Sequence, residues 1–521
     1  MPVPRQRMKI LGGALCAGLL ILTGCTTGGG SGDAAGNTDT IRGWWSTDPT
    51  TWDPPNTQAI DDYRAVGLLY DTLVRRDLDG ELIPGLADSW EQTADTTVLQ
   101  IAEGNTCADD TEITATVVAK SLQYLAGPDT DSTHSDATFG NGDVIVEADD
   151  EAGTVTIELE QPNSDLLAGL AAPQAGVICP AGLDDIDGLE AGTSEGAFSG
   201  PYVLTKSNSG VSYDFELRDD YDNWPEYSEP LEGTPAKHLN FSIGAVDAVA
   251  NQLLTGELDV APIEYHELTR FENNDSFTRI NVETGEHYIM FNHRDSSPFR
   301  DEDTRRAAAE VIDREAIQDV INPTTQLITT IGTDKMQCAN TDESLLVQPD
   351  PDKASKVLDG VSVKVVGSNT VGQNGAGATY VAEQLRAAGA KVKMSNLDVG
   401  TWNITVNEEP EKWDITVMGT VNNLNSISWG LGRNIGPTSK EGGRNVSGSV
   451  NPKASKAFEA ALRSDSESEM CKHYKVAQTT ALEAVDFIPI ATISRPLISR
   501  EGFSAVAPAG REDLKTLRIV D

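Results

Sequence analysis

Between Val361 and Met394 the chain reads VSVKVVG, then a run of Gly, Ser, Asn and Thr, then GATYVAEQLRAAGAKVKM. An apolar β-branched run, a glycine-rich turn, an amphipathic helix and a second apolar run make a strand–helix–strand unit, which commits this part of the chain to an α/β fold. The same alternation begins near Leu239. HLNFSI reads as a strand, and AVDAVANQLLTGELDV as a helix, a glycine stop and a new strand. HYIMFNH is a strand, DTRRAAAEVIDREAIQDVI one or two helices, and WDITVMG a short apolar strand. Pro452 opens a helix whose buried face is Ala454, Phe458, Ala461 and Leu462. A last helix covers Cys471 to Val485, and FIPIATI returns as a strand.

The N-terminal third has more β character. Val66, Leu69, Tyr70 and Leu73 repeat at helical spacing, so Asp62 to Arg75 is expected as one amphipathic helix. Asp79-Gly80 and Pro84-Gly85 are turns, and Val118, Leu122 and Leu125 mark a second helix. Val144–Val146 and Val155–Leu159 flank EADDEAG as a hairpin, and Val211, Tyr213, Phe215 and Leu217 alternate as a half-buried strand. The expectation is α/β lobes with an inserted, more β-rich segment.

Arg5, Arg7 and Lys9 precede an apolar run from Ile10 to Leu22, a secretory signal too short to span a bilayer comfortably. Leu22-Thr23-Gly24-Cys25 fits a bacterial lipoprotein signal, in which the Cys25 thiolate takes the diacylglyceryl group. Residues 26–37 have the composition of a flexible leash. No second apolar stretch is long enough to cross a membrane, so the rest is expected to be soluble. About 500 mature residues exceed one hydrophobic core and imply two to four domains. The net charge of -42 becomes -45 when the three signal cations are removed. Such a field repels phosphate backbones, so nucleic acid is not an expected partner. Cys107, Cys179, Cys338 and Cys471 remain after the signal and Cys25, and sequence allows three pairings. Cys107–Cys179 with Cys338–Cys471 keeps each bond within one lobe and is preferred.

Gly192-Thr193-Ser194-Glu195-Gly196 matches the G-x-S-x-G pattern of a serine hydrolase, but a loop precedes Ser194 and a strand follows it. A glycine-rich turn is the better reading, and a secreted hydrolase using Ser194 is kept as the alternative from another class. The histidines at 134, 238, 266, 287, 293 and 473 show no ligand spacing, and His287 and His293 are expected as exposed strand-end residues. VGSNTVGQNGAGA lacks the G-x-G-x-x-G order and the P-loop lysine, so it reads as a βα turn. Neither a metal, a cofactor nor a catalytic residue is expected.

Several blocks resemble the large solute-binding lipoproteins of bacterial ABC importers, the family of oligopeptide- and dipeptide-binding proteins. TDPTTWDPPNTQA and LLYDTLVRRDLDGELIPGLADSWEQTAD look like its opening signature. CADDTEITATVVAKSLQYL matches the next block, with Asp109-Asp110 where the family usually has Asp-Gly. FSGPYVL, LRDDYDNW and LLTGELDV follow, and FNHRDSSPFRDEDTRRAAAEVIDREAI is the most specific, with Pro298, Phe299, Asp301, Arg305 and Asp313-Arg314-Glu315 in the expected order. The resemblance implies a two-lobed, periplasmic-binding-protein-like fold with an extra subdomain on the first lobe and a two-strand hinge. Mapped here, 1–24 is the signal peptide and 25–37 the linker. Lobe I takes 38–60, 196–288 and 491–521, the extra subdomain 61–195, and lobe II 289–490. The hinge crossings fall near Tyr288–Asn292 and Phe487–Ile490.

The function the resemblance implies is a lipid-anchored, monomeric receptor on the extracytoplasmic face of the cell membrane. It captures peptides between the lobes and delivers them to ABC permease subunits. Family members often hold a peptide ammonium with an aspartate in a second-lobe loop, whereas TVNNLNSISWGLGRN has no acid from Thr420 to Asn434. An oligosaccharide, a metal chelate or an amine metabolite is therefore the alternative solute, and a scaffold with a degenerate cleft a third reading. That loop offers Trp429 as a flat apolar surface, Arg433 as a carboxylate clamp, and Asn423 and Asn425 as hydrogen-bonding groups. Asn292 at the hinge, and Trp45 and Asn56 from the first lobe, complete the expected ligand-binding set, with Trp44 beside Trp45.

Overall fold

The computed structural model describes residues 38–127, 130, 132–441 and 443–520. The signal, Cys25 and the leash lie outside the described residues.

Strand Thr40–Trp45 runs parallel to His238–Ile243, which pairs antiparallel with Ser212–Leu217 and through it with Tyr202–Asn208. Aromatic side chains fill the space beside this sheet. Trp45 stacks on Phe241 with ring centroids 4.7 Å apart, and Phe215 meets Trp45 edge-on at 5.7 Å. A second antiparallel sheet, in the order Ala87–Gln92, Thr96–Ile101, Thr154–Leu159, Val144–Asp149, has its own core around Leu99, Val118, Leu122 and Ile157. The expected hairpin around EADDEAG is its outer pair.

A six-stranded sheet joins the lobes. Its order is Val260–Pro262, Phe487–Arg500, Phe277–Phe291, Ile415–Val421, Ser362–Ser368, Lys391–Leu397. The strand–helix–strand unit is present: Ser362–Ser368 and Lys391–Leu397 are parallel neighbours linked by helix Ala376–Ala387. The two long strands Phe277–Phe291 and Phe487–Arg500 pair along nearly their whole length. At one end Val282 and Leu497 belong to the aromatic first-lobe core, and at the other Ile289, Phe291, Ile488 and Ile490 belong to the second-lobe core. The register slips between Glu283 and Gly285, where the chain passes from one core to the other. The crossing therefore lies at Glu283–Glu286 opposite Thr492–Ser494. Tyr288–Phe291 and Phe487–Ile490 pack with second-lobe residues, a few residues to one side of this crossing.

The helix expected over Asp62–Arg75 covers only Ile60–Leu69. Tyr70 is already extended, and Val74–Arg76 pairs with Leu82–Pro84 around the Asp79-Gly80 turn. The hairpin overrides a periodicity that continues into it. Asp110 adopts φ 65°, a left-handed conformation that glycine takes most readily, at the place where the resemblance implies an Asp-Gly turn. Cys107–Cys179 and Cys338–Cys471 are the disulfides, with Cα atoms 6.1 and 4.6 Å apart. Among the described residues no helix is long and apolar enough to cross a membrane.

Candidate functional site

Four cavities lie along the seam between the lobes, and the smallest of them, of about 110 Å³, shares Tyr63, Arg64, Asn423, Arg511 and Glu512 with the central one. The central one, of about 130 Å³, is walled on the first-lobe side by helix Ile60–Leu69, strand Val74–Arg76 and the segment 508–515. Its second-lobe wall is the turn Asn423–Asn425, just beyond strand Ile415–Val421. Asn425 takes φ 49°, a conformation asparagine tolerates better than most residues. The turn is braced by Asn422, whose Oδ1 accepts from Ser426 N at 3.2 Å and whose Nδ2 donates to Ser426 O at 2.9 Å.

A second cavity, of about 350 Å³, shares Leu424 with the first. Asn163 and Asp165 face Ile435, Phe458 and Leu462 across it. A third, of about 460 Å³, meets the second at Asp165 and the first at Ala168. Asp165 is therefore the junction. Tyr474 Oη donates to its carboxylate at 3.0 Å, and burial raises its pKa against the pull of those hydrogen bonds.

The charges around the central cavity are unevenly paired. Arg64 bridges Asp61 at 2.7 Å and Glu512 at 2.6 Å, while Arg75 and Lys515 share Asp71 at 3.0 and 3.2 Å. Arg76 instead donates to two carbonyls, Gly80 O and Leu424 O, each at 2.9 Å. Arg511 donates from Nη1 to Glu283 O at 3.1 Å and from Nε and Nη2 to Asn425 Oδ1. Burial and the neighbouring Arg511 depress Arg76 to about 10, and burial also lowers Arg511. Behind them Glu286 is fully buried, and desolvation pushes its carboxyl up to about 8.

Of the residues the sequence pointed to, Asn423 and Asn425 line the central cavity. Trp429 and Arg433 do not. Trp429 donates from Nε1 to Val421 O at 2.7 Å and carries the Arg444 guanidinium 3.7 Å above its ring, so it holds the turn from behind. Arg433 donates to Asn407 Oδ1 at 3.1 Å. Trp45 is fully buried because its strand faces the aromatic core, and Trp44 is buried with its Nε1 on Gly244 O. Asn56 donates to Asp53 Oδ2 at 2.6 Å, and buried Asn292 donates to Pro410 O and Trp413 O inside the second lobe. None of these four lines the central cavity.

His287 and His293 are buried, not exposed. Their rings meet Met418 O and Asp486 O, and burial lowers them to about 4 and about 3. Ser194 is also buried, with its Oγ donating to Ala181 O at 3.1 Å, and a single 3₁₀ turn follows it in place of a nucleophile elbow's helix. Sequence reasoning missed Tyr63, Arg64, Arg76, Arg511 and Glu512. The pair in VRRD and the arginine in GREDLK are visible as charges, but nothing local indicates that residues 435 positions apart share one wall.

The fold and the cleft define a two-lobed solute-binding protein. The model of bacterial extracellular solute-binding proteins, family 5, middle region, matches residues 81–441, and the chain belongs to that family. Its members bind peptides or related ligands for ABC importers and are not enzymes, which removes the Ser194 hydrolase reading. Among solved structures the chain is similar to a substrate-binding protein from Microbacterium hydrocarbonoxydans complexed with 4-hydroxybenzoate hydrazide. The identity is 38% over 93% of this chain and 100% of that one, with a TM-score of 0.77. The fold is also that of a dipeptide-binding protein from Pseudoalteromonas sp. SM9913 in complex with Met-Leu, at 19% identity, coverage of 92% and 100%, and TM-score 0.71. Haemophilus influenzae OppA in complex with RPPGFSPFR shares it too, at 16% identity, coverage of 93% and 99%, and TM-score 0.68. Comparison with curated protein sequences returns no match.

Proposed function

We propose that this protein is a lipid-anchored receptor that captures a peptide or related small solute between its lobes and hands it to an ABC permease at the membrane. The observation that carries this reading is the central cavity, whose walls come from both lobes, so a solute placed there contributes contacts to both only when they close. Differential contact of that kind is what shifts an open–closed equilibrium. Cys25 is the attachment point, and residues 25–37 are the leash that lets the cleft reach the permease. Lobe I, with its extra subdomain over 61–195, and lobe II over 289–490 are the moving bodies, and the chain works as a monomer.

Within this class the small central cavity favours a short ligand. A dipeptide-sized solute, or a small aromatic acid related to the hydrazide named with the Microbacterium relative, is expected rather than a long peptide. With no acid from Thr420 to Asn434, an ammonium group would have to find its carboxylate elsewhere, and Glu512 and Asp513 line the central cavity.

Native mass spectrometry of the purified full chain, followed by denaturation and identification of the released molecule, tests the reading. A short peptide or small aromatic derivative is expected. A sugar or a metal chelate would replace the ligand class. No released molecule and no thermal shift across a broad solute library would overturn solute binding.

A further inference from the structure

We propose that Arg76 and Arg511, brought together at the Asn423–Asn425 turn, form a subsite for a carboxylate group of the bound solute. The inference rests on the central cavity being the solute site and adds the chemistry of what enters it.

Charge is unevenly matched along the cavity wall. Every other cation on the cavity wall meets a carboxylate at ion-pair distance: Arg64 has Asp61 and Glu512, and Arg75 and Lys515 have Asp71. Arg76 and Arg511 have none among the described residues, and their hydrogen bonds go to carbonyl oxygens. The nearby Glu283 and Glu286 do not neutralise them. Glu283 offers Arg511 only its backbone oxygen, neither carboxylate stands at ion-pair distance from the two arginines, and desolvation raises both carboxyls, that of Glu286 to about 8. Two guanidiniums held close without an anion repel one another, and the depression of Arg76 by Arg511 records that repulsion.

Hydrogen-bond donors are also left over at this wall. Asn425 Nδ2 and Arg75 Nε are buried and have no hydrogen-bond partner among the described residues, and both residues line the cavity. A buried donor without an acceptor keeps the cost of its lost hydration. Two N–H groups of the cavity wall thus lack acceptors. A solute carboxylate, which accepts through two oxygens and takes forked hydrogen bonds from arginine, answers both deficits at once. Because Glu512 and Asp513 stand on the same wall, the positive surplus is small and suits one negative charge.

A latch is the competing role, since both arginines already bridge the lobes. Calorimetric titration of the full chain separates the two. The probes are Met-Leu and its C-terminal amide, 4-hydroxybenzoate and 4-hydroxybenzamide, on wild type, Arg76→Gln and Arg511→Gln. The free acids are expected to bind at least about 10-fold more tightly than the neutral partners, about 1.4 kcal/mol. Each substitution should reduce that ratio to near one. Arg76→Lys and Arg511→Lys keep the charge without the fork and should give intermediate ratios, which covers any loss of folding in the glutamine variants. If the substitutions weaken acid and amide equally, the arginines are latches and the proposal fails. Equal or tighter binding of the neutral probes to wild type also overturns it while leaving solute binding intact. Binding of neither set overturns both.

Discussion

Arg511 reaches across the cleft to Asn425, with its Nε and Nη2 3.3 and 3.2 Å from Asn425 Oδ1. Arg511 belongs to the C-terminal return into the first lobe and Asn425 to a second-lobe turn, so this contact exists only while the lobes are together. Asn425→Gly retains the left-handed backbone without strain and removes the acceptor. Small-angle scattering should show a larger radius of gyration, and amide exchange at 422–426 should rise. Unchanged scattering would mean that the contact does not hold the closed form.

Closure can be locked at a second place. Ser164 N donates to Leu462 O at 2.9 Å and Ser164 Oγ to Ala461 O at 2.9 Å, so the extra β-rich segment meets the second lobe there. A cysteine pair at positions 164 and 462, joined by a short cross-linker, should abolish uptake and leave circular dichroism unchanged. Tethering buried Asn292 to its own lobe should have no such effect. Transport through a verified 164–462 tether would rule out lobe opening as part of the cycle.

Gly285 marks the crossing between the cores. A Cβ there would stand 1.8 Å from Thr420 O, on the backbone of the neighbouring strand. Gly285→Ala must push two paired strands apart and should cost about 1–3 kcal/mol. Urea unfolding of the two proteins checks this, and an unchanged midpoint would show that the strands separate freely.

Glu286 carries a pH signature. Its carboxyl goes from 4.5 when exposed to about 8 when folded, because burial disfavours the charge. Between these values the folded state holds a proton that the unfolded state has lost, so stability falls as pH rises from about 4.5 to about 8. Glu286→Gln keeps an acceptor for Asn422 Nδ2, 3.3 Å away, and removes the titration. The variant should gain about 1–3 kcal/mol over wild type at pH 8 and little at pH 5. A gain that is the same at both values would contradict the assignment.

The disulfides close loops with separations of 72 and 133 residues. Replacing Cys107 and Cys179 by Ala, or Cys338 and Cys471, should each lower unfolding stability by about 2–5 kcal/mol. Reductant should destabilise wild type in the same sense and leave the four-alanine variant unmoved. A wild type indifferent to reductant after unfolding would show that the bonds contribute little.

Much of the architecture is legible locally. Ser362–Leu397 announces its parallel pair, the EADDEAG hairpin its turn, and Ala454, Phe458 and Ala461 their buried helix face, because each pattern is satisfied by neighbours within a few tens of residues. Where a local pattern runs into a competing partner, it misleads. The helix ends at Leu69 because Val74–Arg76 is taken by Leu82–Pro84, and Trp45 turns to Phe241 because its strand lies against an aromatic core.

What the sequence determined by itself was the class of the protein: its family blocks, its alternating strands and helices, and a second-lobe loop whose Asn423 and Asn425 reach the cavity. The tertiary structure alone decided which charges face one another. Arg76 and Arg511 lie 435 positions apart, and only the two long paired strands, with the C-terminal segment returning to the first lobe, bring them to the same turn. Pairing of charge is a property of distance in space, and distance between remote residues is set by topology rather than by any local pattern.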